Sequence, residues 1–192
     1  SSPRSQKLIC PESEGIMNRK QRRALEKKGI RPGPGQSATA SSAAGGGTLA
    51  HLVAGQVTAI PEMLNRGYGF YREGRLGAAE KLFDDVLAIV PENTDALHLK
   101  GVIRYIDNDF KTSVQLLEKS EQLSNSSDPN ISNNLGLALV KLKNFREARK
   151  AFDRALSVAP GFAQAWHNKA AALVPDERYE DAITALRRAS EL

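Results

Sequence analysis

The residues best able to perform chemistry are one cysteine and the histidines, and their spacing argues against an active site. Cys10 is the only cysteine, so the chain can build neither an internal disulfide nor a thiolate metal cluster. His98 and His167 lie far apart, and no cysteine or carboxylate cluster near either completes a metal site. No Ser-His-Asp order and no phosphate-binding glycine loop is found. The sequence therefore predicts no catalytic residue, no metal and no cofactor, and it places both histidines on the surface or in a groove.

Asparagine recurs at equivalent positions of an internal repeat that is described below. Asn65, Asn134 and Asn168 share one position, and Leu99 interrupts the row. An amide offers both a donor and an acceptor, so such a row can bind the backbone of an extended peptide. The alternative interpretation is a set of solvated amides. Tyrosine and arginine are also favoured at binding surfaces, and the complete predicted groove is Asn65, Tyr68, Arg72, Asn130, Asn134, Lys141 and Asn168.

A cluster of cations lies near the start of the chain, within a stretch from Met17 to Lys28 that is predicted to form a short helix. Such a helix could contact the phosphates of RNA, DNA or the ribosome without reading sequence. No aromatic side chain lies among the cations to stack on bases, and a solvated tail is the favoured interpretation. The candidate polyanion-binding residues are Arg19, Lys20, Arg22, Arg23, Lys27 and Lys28.

The charge of the chain is unevenly distributed. Its formal net charge is +5, with nine Lys and Arg against three Glu in residues 1–60 and 18 basic against 19 acidic residues in 61–192. The basic character therefore belongs to the tail. No apolar run approaches the roughly 18 residues of a membrane-spanning helix, and no secretory signal is seen. These features predict a cytoplasmic protein with no membrane partner.

Composition divides the chain into two parts. Residues 30–48 are rich in Pro, Gly, Ser and Ala and nearly uncharged, which is typical of a flexible linker. Residues 1–48 are predicted to form a flexible basic tail with a short helix near 17–28. From residue 49 apolar residues recur at helical spacing, with a leading helix predicted over 49–59.

The elements that position the groove follow from an internal repeat of about 34 residues. Copies cover 60–93, 94–128, 129–162 and 163–192, and positions are counted from the first residue of each copy. Small residues at positions 8 and 20 allow two helices of a hairpin to cross closely. Bulky residues at position 24 are expected to fill the space between hairpins. Position 8 holds Gly67, Gly101, Gly136 and Ala170, and position 24 holds Phe83, Leu117, Phe152 and Leu186.

This pattern resembles the tetratricopeptide repeat over residues 60–192. The resemblance implies an all-α fold, with about four helical hairpins stacked into a right-handed α-solenoid over 49–192. It also implies a concave groove lined by the first helix of each hairpin, and a non-catalytic scaffold that binds a protein or peptide. First helices (A helices) are predicted near 61–73, 94–106, 130–142 and 164–174, and second helices (B helices) near 77–89, 110–122, 145–157 and 179–190.

A narrower resemblance concerns the stretch from Asp95 to Val102, which is similar to the repeats of bacterial proteins with O-GlcNAc-transferase-like or sulfotransferase domains. It implies that the chain could recruit substrates as a segment of a larger transferase. The chain stops at Leu192, so the last hairpin is expected to expose Leu173, Ile183, Leu186 and Leu192 on a flank covered by removed residues or by a second copy.

Overall fold

The computed structural model describes the backbone from residue 48 to residue 192 and the side chains from residue 59. These described residues contain eight α-helices, one 3-10 helix and no strand, so the all-α fold class is confirmed. The predicted basic helix near 17–28 and its six cations lie outside the described residues. Within the described range, no helix has both the length and the apolar character needed to cross a bilayer.

The described chain forms two compact units, and the first comprises residues 48–96. It contains α1 (Thr48–Arg72), α2 (Leu76–Ile89) and the first turn of α3 (Thr94–Ile106). The expected division between a leading helix and the first A helix is wrong, because α1 continues through Pro61. Proline has a helical φ, but inside a helix it removes one hydrogen bond and crowds the carbonyl four residues earlier, so α1 spans Pro61 at a cost to its stability.

The second unit comprises Leu97–Leu192. Its helices after α3 are α4 (Phe110–Ser124), α5 (Pro129–Lys141), α6 (Phe145–Val158), α7 (Ala163–Leu173) and α8 (Tyr179–Ser190). A 3-10 helix, Val174–Asp176, follows α7. Odd-numbered helices are the A helices and even-numbered helices the B helices, with bounds close to those predicted. Pro175 follows the end of α7, as expected.

Every A helix ends on a residue in the left-handed conformation at position 15. These residues are Gly74, Asn108, Lys143 and Glu177, with φ of 75°, 62°, 60° and 57°. The hydrogen bonds at Lys143 illustrate how such a helix end is closed. The Lys143 N–H donates to the Val140 carbonyl, and the Asn144 N–H donates to the Leu139 carbonyl, both at 2.9 Å. This is the Schellman arrangement, which stops a helix and satisfies its last carbonyls. In all four copies, a left-handed residue at position 15 therefore ends the A helix and leads the chain into the B helix.

A close approach of helices within each hairpin depends on the glycine at position 8. A Cβ added at Gly67 would lie 2.6 Å from the Phe83 ring, and one added at Gly136 would overlap the Phe152 ring. Position 20 also lies at the crossing, since Ser113 donates to the Gly101 carbonyl at 2.8 Å. The expectation that position 24 fills the space between hairpins is incomplete, because Phe83, Leu117 and Phe152 also pack on the glycine of their own hairpin, whereas Leu186 is 43% exposed.

The core of the second unit joins successive hairpins. Leu117 of α4, Leu135 of α5, Phe152 of α6 and Ala172 of α7 share one buried cluster. Ala170 and Leu173 of α7 pack with Ala182 and Ala185 of α8 in another. Because the clusters connect consecutive A and B helices, the described second unit is an α-solenoid of helical hairpins.

Two glycine substitutions test the close approach at position 8. We expect Gly136→Ala to lower the free energy of unfolding by about 1–3 kcal/mol, because the new methyl group overlaps Phe152. The control is Gly69→Ala in α1, where an added Cβ meets nothing within 4 Å. Better helix propensity should make that variant more stable by about 0.5–1 kcal/mol. Urea unfolding measures both, and equal effects of the same sign would contradict the packing described here.

Candidate functional site

A row of side-chain hydrogen bonds links neighbouring A helices of the second unit. Asn134 Nδ2 on α5 lies 2.9 Å from His98 Nε2 on α3. Asn168 Nδ2 on α7 donates to Asn133 Oδ1 on α5, also at 2.9 Å. Within α7, Gln164 Nε2 donates to Asn168 Oδ1 at 3.1 Å. We call these five side chains the polar ladder.

The polar ladder is largely buried. His98, Asn133, Asn134 and Asn168 are 3%, 2%, 4% and 8% exposed. A buried amide without a partner costs about 1–3 kcal/mol, whereas a paired one contributes modestly to stability. Each rung therefore favours one relative placement of the two helices that it joins, and the ladder holds α3, α5 and α7 together along one face.

The two rungs of the polar ladder are not equally satisfied. Asn168 uses both ends of its amide, because Nδ2 donates to Asn133 and Oδ1 accepts from Gln164. Asn134 uses only one end, since its Oδ1 is buried and has no hydrogen-bond partner in the described part of the chain. The rung between α3 and α5 is therefore the weaker one.

Burial changes the protonation of His98. Desolvation lowers its pKa from 6.5 to about 4, and the nearby carboxylate of Asp128 opposes this effect only in part. The imidazole is therefore neutral at pH 7. A neutral ring can accept the Asn134 Nδ2 hydrogen at Nε2 while its proton resides on Nδ1, which is the tautomer compatible with this rung.

The interpretation of Asn134 and Asn168 as exposed groups in a groove is wrong. Both are buried, and both side chains form hydrogen bonds to a neighbouring A helix. In each case, position 5 of one copy provides the polar partner for position 6 of the next. The expectation for His98 is also wrong, since it is buried, whereas His167 is exposed as predicted. The partners Asn133 and Gln164 were not predicted, although the adjacent pair Asn133 and Asn134 was a visible signal.

The remaining groove candidates keep accessible surface. In the second unit, Lys141 is exposed and Asn130 is half-buried. The Asn130 backbone N–H and its Nδ2 both donate to Asp128 Oδ1, at 2.8 and 3.1 Å, so Asp128 caps the start of α5 and also binds the Asn130 side chain.

The first unit holds the other three candidates. Asn65 and Arg72 are exposed and Tyr68 is half-buried. The Tyr68 ring stacks on Tyr71, with ring centroids 6.3 Å apart. Tyr68 thus combines packing within α1 with a surface that remains accessible.

An accessible stripe follows the polar ladder along α5 and α7. Residues three and four apart share a helix face, so the positions next to the ladder residues continue the same side. Val174, in the 3-10 helix after α7, is 49% exposed, and Lys141 and Ala171 are exposed. Leu137 and Val140 are half-buried and pack with their inner side against the core. We call Asn130, Leu137, Val140, Lys141, Ala171 and Val174 the A-helix stripe. It combines apolar groups with one cation and one amide.

A second buried polar network joins α4, α5 and α6. Glu121 accepts from Ser132 Oγ at 2.5 Å and from Nε and Nη2 of Arg154 at 2.9 Å each. The Glu121 carboxylate is thus fully engaged by a bidentate arginine and a hydroxyl. This network was not predicted from the sequence, and its partners indicate a structural role.

The last hairpin exposes most of the apolar side chains expected there. Ile183, Leu186 and Leu192 are 50%, 43% and 63% exposed, which confirms that part of the prediction. Leu173 is 2% exposed, so its expected exposure is wrong. It packs inward against Ala182 and Ala185 instead.

Amides and one imidazole make up the polar ladder of the described A helices. The described residues include no group of three His, Cys, Asp or Glu side chains arranged to hold a metal ion. His98 is engaged by an amide. On the A helices, the fold brings together four amides and one imidazole.

Comparison with known families supports the repeat assignment. Residues 133–191 match the family model described as tetratricopeptide repeat. The matched segment runs from α5 to α8 and includes the stronger rung of the polar ladder. The sequence-based assignment to tetratricopeptide repeats is thus supported for this part of the chain.

Known proteins resemble larger parts of the chain. The peroxisomal targeting signal receptor of Saccharomyces cerevisiae is 28% identical over 130 residues, which are 67% of this chain and 21% of the receptor. The chain therefore spans about a fifth of that relative. A solved structure of MamA AMB-1 has a TM-score of 0.60 and 26% identity, covering 69% of this chain and 72% of MamA. MamA from Desulfovibrio magneticus RS-1 has a TM-score of 0.64 at 18% identity, covering 76% and 86%. These structures share the helical-solenoid fold.

The buried state of His98 predicts a pH dependence of stability. The unfolded histidine binds a proton below pH 6.5, but the folded one does so only near pH 4. The contribution of neutral His98 to the free energy of unfolding is therefore present above pH 6.5 and is lost as the pH drops toward 4. We expect His98 to contribute a loss of about 2 kcal/mol between pH 7.5 and pH 5.

Urea unfolding at the two pH values measures this loss. His98→Gln should reduce the pH dependence by that amount, whereas His167→Gln, at an exposed histidine, should leave it unchanged. If both variants keep the pH dependence of the original chain, His98 is not buried as a neutral ring.

Proposed function

We propose that the protein is a non-catalytic scaffold that binds a polypeptide segment along the A-helix stripe. The observation that carries the proposal is that α5 and α7 have buried polar residues beside accessible ones. Buried amides of the polar ladder hold the helices, and the adjacent positions present accessible apolar and polar groups. A preorganised surface loses little conformational entropy on binding.

The chemistry of the A-helix stripe favours a peptide as the ligand. Leu137, Val140 and Val174 supply apolar area, and Lys141 supplies a cation that can pair with a carboxylate or a carbonyl oxygen. Asn130 adds a polar group at the start of α5. An extended peptide has alternating side chains and a polar backbone, so it can satisfy both kinds of group at once. In the first unit, Asn65, Tyr68 and Arg72 are proposed to contribute in the same way.

The relatives support binding of a polypeptide. One of them is named as a receptor for a targeting signal, and its similarity covers 67% of this chain. The proposal transfers only the general property of recognising a polypeptide. The tetratricopeptide match over 133–191 supports the same role for the helices that form the stripe.

Other roles stay predictions. The matches described above carry no transferase name, so recruitment of substrates beside a transferase domain rests on the sequence resemblance alone.

Polyanion binding by the basic tail concerns residues outside the described range, and RNA binding by the chain with and without residues 1–48 tests it. A cytoplasmic location also stays a prediction. Self-association through the exposed Ile183 and Leu186 is tested by light scattering of the original chain and Leu186→Glu.

A charge reversal tests peptide binding by the A-helix stripe. Peptides selected on the full chain from a random display library are measured by titration against Lys141→Glu and Lys119→Glu. Both lysines are exposed, but Lys119 lies on a B helix, α4. Reversal of a contacting charge should weaken the selected peptides by about tenfold for Lys141→Glu. The Lys119→Glu variant should bind like the original chain.

Two results would contradict the proposal. Either no library peptide binds, or the two variants bind the selected peptides equally well. Thermal unfolding should be nearly the same for both, since exposed surface substitutions change stability by about 0.5 kcal/mol or less.

A further inference from the structure

A basic cleft lies on the opposite side of α7 from the polar ladder. Its walls come from the B helices α6 and α8, and its volume is about 400 Å³. Trp166, Lys169 and Leu173 of α7 line it, whereas the ladder uses Gln164 and Asn168 of the same helix. At 3.6 residues per turn these two sets occupy opposite faces of α7. The cleft is therefore distinct from the A-helix stripe.

Cations predominate around the cleft. Five cationic side chains line it against two carboxylates, Asp153 and Asp181. The cations are Arg146, Arg149, Lys150, Lys169 and Arg178. Arg146 and Lys150 are one helical turn apart on α6, where like charges repel each other and destabilise a helix slightly. An anion bound between them would relieve that repulsion.

Four of these five cations have a carboxylate partner within the protein: Lys169 Nζ lies 2.6 Å from Asp153 Oδ1, and Arg178 Nη2 lies 2.6 Å from Asp181 Oδ2. Arg149 is 14% exposed and donates to the Ala172 carbonyl at 3.0 Å and to Asp176, so it holds the end of α7 in place. Lys150 pairs with Glu147 on its own helix, with both side chains about half exposed at 52% and 45%. Such exposed pairs contribute little stability and can exchange with a ligand. Arg146 is exposed and has no ion pair among the described residues.

An aromatic ring gives the cleft an apolar element. Trp166 Nε1 donates to the Pro160 carbonyl at 2.9 Å, which fixes the ring edge, and Lys169 Nζ lies 5.2 Å from the ring centroid. Leu173 and Ala185 also line the cleft. A ligand that combines negative charge with an apolar side chain would match both parts.

We propose that this cleft binds an acidic polypeptide segment in which carboxylates flank an apolar side chain. Arg146 and Lys150 pair with the carboxylates, and Trp166 contacts the apolar group. Charge complementarity identifies the partner class. The cleft has room for only a few residues, and Leu173 and Ala185 beside Trp166 match an apolar side chain, which favours a short peptide segment over a nucleic acid. The proposal does not depend on peptide binding at the A-helix stripe.

The single tryptophan of the chain provides a direct readout. A synthetic peptide of alternating glutamate and leucine is titrated into the full chain while Trp166 fluorescence is recorded. We expect a saturable change in emission, and a glutamine and leucine peptide should cause none. Added salt should weaken the response, because exposed charges are screened.

Matched variants locate the response. Arg146→Glu should bind the glutamate peptide about tenfold more weakly, and Lys119→Glu should bind it like the original chain. Both residues are exposed, and thermal unfolding checks that both variants fold. Three results would overturn the proposal: the two peptides give equal responses, Arg146→Glu binds normally, or a short single-stranded RNA competes better than the acidic peptide.

Discussion

Buried polar side chains must find hydrogen-bond partners, and this constraint organises the A helices of the second unit. The amides of Asn133 and Asn168 satisfy one another across α5 and α7. His98 and Asn134 form one hydrogen bond across α3 and α5. A shift of one helix along its neighbour would separate these groups and leave amides unpaired in a water-poor environment, at a cost of about 1–3 kcal/mol each. Apolar packing tolerates such shifts better because it is not directional.

Two backbone features make the ladder possible. Glycine at position 8 lets the A and B helices of a hairpin approach until Phe152 covers Gly136. The left-handed residue at position 15 then turns the chain into the B helix in every copy. Because these devices recur at fixed positions, positions 5 and 6 of consecutive copies are presented with the same geometry. The A-helix stripe beside positions 5 and 6 and the basic cleft on the opposite side of α7 both follow from that regular placement.

Much of the fold could be predicted from the sequence, but the exposure of the candidate residues could not. The recurring glycines and bulky residues predicted the hairpins and their order. Asn65, Asn134 and Asn168 share one repeat position, yet Asn65 is exposed and the other two are buried. Their environments differ because a side chain at position 6 depends on position 5 of the preceding copy, which is His98 for Asn134 and Asn133 for Asn168. A pattern within single copies does not contain that relationship.

The offset between copies is readable in the sequence once the structure reveals it. Position 5 of one copy corresponds to position 6 of the next, and the residues in such pairs have matching polarity. His98 with Asn134 and Asn133 with Asn168 are all polar and buried. The basic cleft was harder to foresee, because its cations come from three helices and each looks like an ordinary surface charge in its own segment.

A double-mutant cycle on the stronger rung tests the central claim most directly. The free energy of unfolding is measured for the original chain, Asn133→Ala, Asn168→Ala and the double variant. If the rung joins α5 to α7, the second substitution costs less once the first is made, and the coupling energy should be about 1 kcal/mol. The exposed pair of positions 65 and 141 serves as a control that should be additive within about 0.5 kcal/mol. Additivity of Asn133→Ala and Asn168→Ala within the same margin would contradict the account.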